Sequence, residues 1–417
     1  MLHELRRELN HAWKEPALRW LMLIAFTLST IALLIGSLTI SHQKDMVQRL
    51  EAAVTAEQSL TIKGKTDPGD IAYNFFHLTF DPPTDLAFMA LGQRSERPWL
   101  HRLRMLALEG QIHETNESNP EIWTLGQLDF TFFLSVLVPL IIISLLFDIE
   151  GKERREGRYE LICAASPFGS RIFHIRAAVR SLLLTAAIIL PFIAAAIGND
   201  LTLMAFLSVL GLIMFQIVLW VIFCRFLTLK IPEAVTAALS LVTLWLLLTV
   251  LTPIIGKTVV ENSLPVPNGG TILLIQRETV NAAWDLPKET TMDAFIKNHP
   301  EWKAQTTINR PFEWKWYYAF QEMGDQAARP KSRALYQGMT DRHEAMALVA
   351  LLSPALFIER KMTELAGTDV LQHLRYVQCA RAFHAELRQF YYPYLFNEKA
   401  MSETDLAELP VFEPCAI

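Results

Sequence analysis

Residues 130–160 read FTFFLSVLVPLIIISLLFDIEGKERREGRYE: eighteen uncharged residues, Phe130 to Phe147, run straight into a string in which nine of thirteen residues, Asp148 to Glu160, are charged. Eighteen helical residues extend about 27 Å, close to the roughly 30 Å hydrocarbon thickness of a bilayer. The boundary at Asp148 therefore reads as a membrane–water interface. Four more runs are long enough and uncharged, Trp20–Ile40, Ser181–Gly198, Leu201–Phe223 and Ala234–Ile255, in a chain that is 52% hydrophobic. The sequence predicts a mainly α, polytopic α-helical membrane protein with five transmembrane helices.

Lysine and arginine near the ends of the spans set the orientation, counted over short loops. Arg6, Arg7, Lys14 and Arg19 precede span one; Lys152, Arg154, Arg155, Arg158, Arg171 and Arg176 lie between spans two and three; Arg225 and Lys230 lie between four and five. The loop Asn199–Asp200 has none. This places an amphipathic helix (1–19), the charged string with its following loop (148–180) and the 224–233 loop in the cytoplasm. Spans then cover 20–40, 130–147, 181–198, 201–223 and 234–255, and residues 41–129 and 256–417 form two extracytoplasmic, mostly α domains. Span one, apolar for 21 residues, is longer than a signal-peptide core of 7–15 and reads as an uncleaved helix.

Within those domains, KDMVQRLEAAVTAEQSL (44–60) reads as a helical stalk and TILLIQRETV (271–280) as a strand. The apolar run Ala345–Ile358 is short for a span and contains Ser353-Pro354, so it reads as a buried core helix of the second domain.

Several chemistries are disfavoured. A net charge of −5 without a basic cluster argues against nucleic acid. The cysteines, Cys163, Cys224, Cys379 and Cys415, form no CxxC pair; pairing of Cys379 with Cys415 stays open. No span carries an ionisable side chain, which argues against proton- or ion-driven transport. Gly256-Lys257-Thr258 resembles the end of a phosphate loop, but Leu251 stands where that loop needs glycine. His77 with Asp81, Glu109 with His113, and Asp341, His343 and Glu344 are weak metal or acid–base candidates at spacings common by chance. Asn116-Glu117-Ser118 fits a glycosylation acceptor. Ser135 and Gln216 in the spans suit interhelical hydrogen bonds as well as a pathway.

The charged string is poorly tuned as an isolated helix. Glu150–Arg154 is favourable at i, i+4, whereas Arg154–Arg158 and Glu156–Glu160 oppose like charges, and Gly157 weakens a helix by about 1 kcal/mol. A short charged helix held between two spans suits docking against a partner; the plainer reading is a solvated loop that only sets orientation.

At these residues the sequence resembles the transmembrane subunits of ABC-2 type transporters. Their second and third spans are joined by a stretch running D-x-x-x-x-E-R-x-x-G-T-L and then a turn with serine, proline and a basic residue. Asp148, Glu153, Arg154, Gly157, Ser166, Pro167 and Arg171 match, while Arg158-Tyr159 replaces Thr-Leu. RMLALEGQIHETNESNPE (104–121), ALLSPALFIERKMTELAGTD (350–369) and FHAELRQFYYPYLF (383–396) resemble a bacterial subgroup with large extracytoplasmic domains of unknown function.

The resemblance implies a coupling helix that contacts a cytoplasmic ABC ATPase subunit through Asp148, Glu150, Glu153, Arg154, Arg155, Glu156, Gly157, Arg158 and Glu160. It also implies an amphipathic helix resting on that subunit through Leu2, Leu5, Arg6 and Leu9. The expected protein is a non-catalytic permease subunit of an exporter in the bacterial inner membrane, paired with a second permease subunit as a homo- or heterodimer. It holds no cofactor, ATP being bound by the partner. The family norm is six spans, the last after the segment matching ELPVFEP (408–414), and that helix is absent from this sequence. The alternative function is ATP-driven mechanotransmission, in which the external domains act on a periplasmic protein and nothing is translocated. A membrane-anchored hydrolase resting on the histidine clusters ranks last.

Overall fold

The computed structural model describes residues 2–114, 128–166 and 168–415, and of Leu2, His3 and Ser95 the backbone alone. The Asn116 acceptor pattern, Pro167 and the side chain of Leu2 therefore lie outside the described residues. The chain is mainly α, and among the described residues five helices are long and apolar enough to cross a membrane. After α1 (Leu2–Lys14), the 47-residue α2 (Pro16–Ile62) contains the first apolar run and continues through the polar stalk without a break.

The second apolar helix, α5 (130–146), lies at the centre of the bundle and touches the other four. Phe130, Phe133, Leu134, Val138, Ile142 and Leu146 are buried along it. Leu190, Ile197, Met204 and Leu239, on the other helices, are exposed apolar side chains of the kind lipid would cover. Pro139 in α5 has no N–H for the carbonyl of Ser135 four residues before it. Gln216 Nε2 supplies that donor at 3.3 Å, and Trp245 Nε1 bonds the neighbouring Val136 carbonyl at 3.1 Å, across a π-turn at Phe133–Leu137. The Gln216 side chain thus serves interhelical bonding through the Ser135 carbonyl. The bundle is completed by α8 (Ile172–Gly198), α9 (Leu203–Lys230) and α10 (Ala234–Ser263).

We call basal the end that carries α1 and the charged string, which folds as α6 (Gly151–Arg155) and α7 (Tyr159–Ala165). The opposite, distal end carries a lobe made of the remaining elements. From the first segment come α3 (Pro68–Asn74), the antiparallel pair β1 (His77–Phe80) and β2 (Leu100–Leu103), with His77 opposite Leu103, and α4 (Leu108–His113). From the second come α11 (Gly269–Ala282), α12 (Lys288–Ile296), α13 (Trp314–Ala350), α14 (Pro354–Leu365), α15 (Val370–Phe396) and α16 (Glu403–Ala407).

Three expectations require correction. The two segments are not separate domains: Ile71, Leu103 and Leu108 share one core with Phe295, Phe320, Leu387 and Tyr391. A four-residue strand pair and two short helices cannot enclose a core alone, so they are completed by the long helices of the second segment.

Residues 271–280 are helix α11, not a strand. Asn268 caps it by accepting from Thr271 N at 2.7 Å, and its buried positions, Ile272 and Gln276, are four apart rather than alternating. Finally, Ala345–Ile358 is not a buried core helix. Proline cannot continue a helix here, and Ser353 caps the next by accepting from Leu356 N. The run therefore breaks into an elbow whose Leu348, Leu351 and Leu352 are exposed, while Ile358 joins the core of the apolar bundle.

Candidate functional site

The basal end collects buried ion pairs around the charged string. Its first surprise is the string itself, which is not one helix. Gly157 adopts φ +68°, a left-handed conformation that side chains resist, and this residue separates α6 from α7. The Glu156–Glu160 opposition therefore never falls on one helical face.

Two of the string's nine charged residues, Glu150 and Glu153, are buried. Arg176, on the first turns of α8, bonds Glu153 Oε1 at 3.0 Å through Nη1 and Glu8 Oε2 of α1 at 2.9 Å through Nε. One turn on, Arg180 bonds Glu15 Oε2 at 2.8 Å and the Leu145 carbonyl at 2.7 Å, with Asp148 Oδ1 at 4.0 Å. Glu15 is the residue that precedes α2, and Lys152 Nζ approaches its other oxygen at 3.4 Å. Arg225 near the end of α9 bonds Glu150 Oε1 at 2.8 Å. Gly151 abuts α10, where a Cβ would come within 2.7 Å of Ala234 Cβ and 3.1 Å of its Cα. The string therefore touches the base of every other apolar helix.

Five others face out: Arg154, Arg155, Glu156, Arg158 and Glu160 are exposed, as are Gly157 and Leu161, and Arg158 reaches back to Glu153 at 2.9 Å and pairs with Glu156. Arg154 lies over the Tyr159 ring at 3.6 Å, and Tyr159 stacks on Phe173 of α8 with centroids 5.2 Å apart. That stack fastens α7 to the bundle.

Of the α1 residues expected to face a partner, Arg6 and Leu9 are exposed and Leu5 packs partly against the bundle core, while the buried face is Glu4, Glu8 and Ala12. A charged face turns inward because Arg176 offers Glu8 a charge-assisted partner, which the leucines cannot use. Sequence reasoning counted Arg176 and Arg225 only as orientation signals and did not see Glu8, Glu15 or Arg180 as structural. A usable signal was present in RIFHIRAAVR (171–180): two arginines four apart on an otherwise apolar helical face need carboxylate partners.

Of the histidine candidates, His77 is buried and His113 and His343 are held by charged neighbours. His77 is wedged beside Phe75 and Phe383, and burial lowers its pKa to about 3. Asp81 pairs with Arg94 at 2.9 Å, Glu109 pairs with Arg381 at 2.8 Å, and the His343 carbonyl accepts a hydrogen bond from Arg360 Nη1 at 2.9 Å. No group of three His, Cys, Asp or Glu residues suited to a metal ion occurs among the described residues. Cys379 and Cys415 are disulfide-bonded, with their Cα atoms 6.2 Å apart.

At the basal end, short, buried ion pairs thus join the charged string and α8 to α1 and α9, and direct packing joins the string to α10. Residues 271–414 match a family model described as a domain of unknown function (DUF3526). No curated protein and no solved structure matches the chain.

Proposed function

We propose that this chain is the permease subunit of an ABC-2 type exporter, converting ATP hydrolysis by a separate cytoplasmic ATPase into movement of its spans. The observation that carries the reading is the basal hub: one exposed, charged segment, clamped by buried ion pairs to the bases of the other apolar helices. A loop that served only to set orientation needs none of those pairs. Closure of the ATPase would press on Arg155, Glu156, Arg158, Glu160 and Leu161, with Trp13 of α1 exposed beside the same end. Glu150 and Glu153 then transmit rather than receive the force.

Two further observations support the orientation. The excess of lysine and arginine at the basal end suits the cytoplasm, and the Cys379–Cys415 disulfide in the distal lobe suits an oxidising exterior such as the periplasm. ATP would be bound by the partner, and a second permease subunit would complete the pathway.

The test is co-purification with the cognate ATPase. Charge reversal at Arg155 and Glu160 with Leu161→Ser should abolish binding and ATPase stimulation while leaving thermal unfolding unchanged. Normal binding and stimulation in that triple variant would refute the assigned face.

A second reading is favoured by α2, which runs unbroken from the basal end into the distal lobe, about 70 Å at 1.5 Å per residue. Such a rod suits mechanotransmission to a periplasmic protein without translocation. Reconstituted vesicles separate the two readings: ATP-dependent loss of an enclosed solute supports export, and its absence alongside a stable periplasmic complex supports the rod.

A further inference from the structure

The distal lobe carries a half-open cavity of about 780 Å³ between β2, the end of α4, the start of α11 and the facing sides of α13 and α15. It is remote from the basal hub, and the proposed coupling does not use it. That volume falls within the range of small-molecule sites, roughly 300–1,000 Å³.

Its lining holds polar groups that the protein leaves underused. Arg97 bonds Gln93 Oε1 at 2.7 Å and approaches Met339 Sδ at 3.9 Å, and it has no ion-pair partner among the described residues. Arg342 donates to two backbone carbonyls, Leu264 at 2.8 Å and Glu261 at 3.3 Å, and is likewise without a carboxylate partner among the described residues. His101 is anchored through Nδ1 to the Tyr376 hydroxyl at 2.7 Å, which leaves its Nε2 buried with no hydrogen bond among the described residues. His113 Nε2 is turned to the Glu109 carboxylate at 3.4 Å. Buried polar atoms are ordinarily paired, and unpaired ones in a native fold commonly mark a missing ligand or water.

The opposing charges do not cancel this set. Arg94 is already neutralised by Asp81, Glu114 is drawn outward to Arg277 at 3.5 Å, and Glu96 is exposed at the rim. Two guanidinium groups therefore face one solvated carboxylate. Val266, Leu335 and Val377 supply apolar wall beside them.

We propose that this cavity binds a small organic carboxylate with an apolar body, its charge held by Arg97 and Arg342 and its body against Val266, Leu335 and Val377. Guanidinium forks recognise carboxylates through paired hydrogen bonds, and the His101 Nε2 nitrogen gives a bound oxygen a further neighbour. The proposal stands whether the subunit exports or transmits force.

The experiment is calorimetric titration of the full chain in lipid nanodiscs with 2-naphthoate, using the neutral 2-naphthamide and empty nanodiscs as controls. Saturable one-to-one binding is expected, at least tenfold tighter for the carboxylate than for the amide. Arg97→Gln and Arg342→Gln should each weaken it tenfold or more, whereas Arg97→Lys retains most of it and Lys361→Gln, on the surface of α14, retains all. If one glutamine variant fails to fold, the other and the lysine variant still decide. Binding no greater than to empty nanodiscs, equal affinity for the amide, or wild-type affinity in a folded glutamine variant would overturn the proposal.

Discussion

Replacing Arg176 by methionine tests the basal hub at its most connected point. The side chain is about a tenth exposed and makes two charge-assisted bonds, 2.9 Å to Glu8 and 3.0 Å to Glu153. Methionine fills similar space, so packing changes little, but two buried carboxylates are left facing each other. Breaking a buried ion pair from one side costs about 3–5 kcal/mol. The cost here sits at the lower end, because Glu153 keeps Arg158 at 2.9 Å and Glu8 keeps Arg7 at 3.7 Å. A loss of about 3 kcal/mol corresponds to roughly a 150-fold change in an opening equilibrium. Hydrogen exchange of amides in residues 2–14 reads this directly, since α1 is tethered through Glu8. Exchange there should accelerate about a hundredfold in Arg176→Met, with the distal lobe unaffected. Adding Glu8→Gln and Glu153→Gln removes the stranded charges and should recover part of the protection. Unchanged exchange in α1, or a triple variant worse than the single, would show that the pairs hold nothing.

Other outcomes follow from the same geometry. Burial lowers the pKa of both His77 and His384 to about 3. The unfolded chain binds those protons near pH 6.5, so their contribution is complete above pH 6.5 and lost as pH falls toward 3. At pH 5 each should already cost about 2 kcal/mol, and His384→Gln should flatten the pH dependence of unfolding measured between pH 5 and 7. Reducing the Cys379–Cys415 bond, which closes a separation of 36 residues, should destabilise the lobe by roughly 3–4 kcal/mol without altering exchange in α1. Gly151→Ala places a methyl against Ala234 and should lose about 1–3 kcal/mol of basal packing, read as reduced ATPase stimulation with the distal lobe still protected from proteolysis.

Much of the architecture was readable along the chain. Long uncharged runs bounded by charge report their length and polarity locally, and so the apolar helices and the polar continuation of α2 emerge from composition and period alone. The same local reading misassigned TILLIQRETV, whose β-branched and aliphatic residues suit either element until Asn268 is seen to cap a helix. It also misplaced Ala345–Ile358, where Ser353-Pro354 announces a break but not the direction of the chain after it. The charged string was recognisable as a site, yet its division into inward and outward residues was not. Glu150 and Glu153 look no different in sequence from Glu156 and Glu160.

Sequence alone determined that this is a mainly α chain with five helices able to span a membrane and one highly charged connection between the second and third. Tertiary structure decided which of those charges are buried, that α1 turns its acids inward, and that two distant segments share one distal core. The physical reason is that hydrophobic length and helical period are properties of neighbouring residues. An ion pair such as Arg176 with Glu8 joins residues 168 apart in sequence, and only the packing of α1 against α8 brings them within bonding distance.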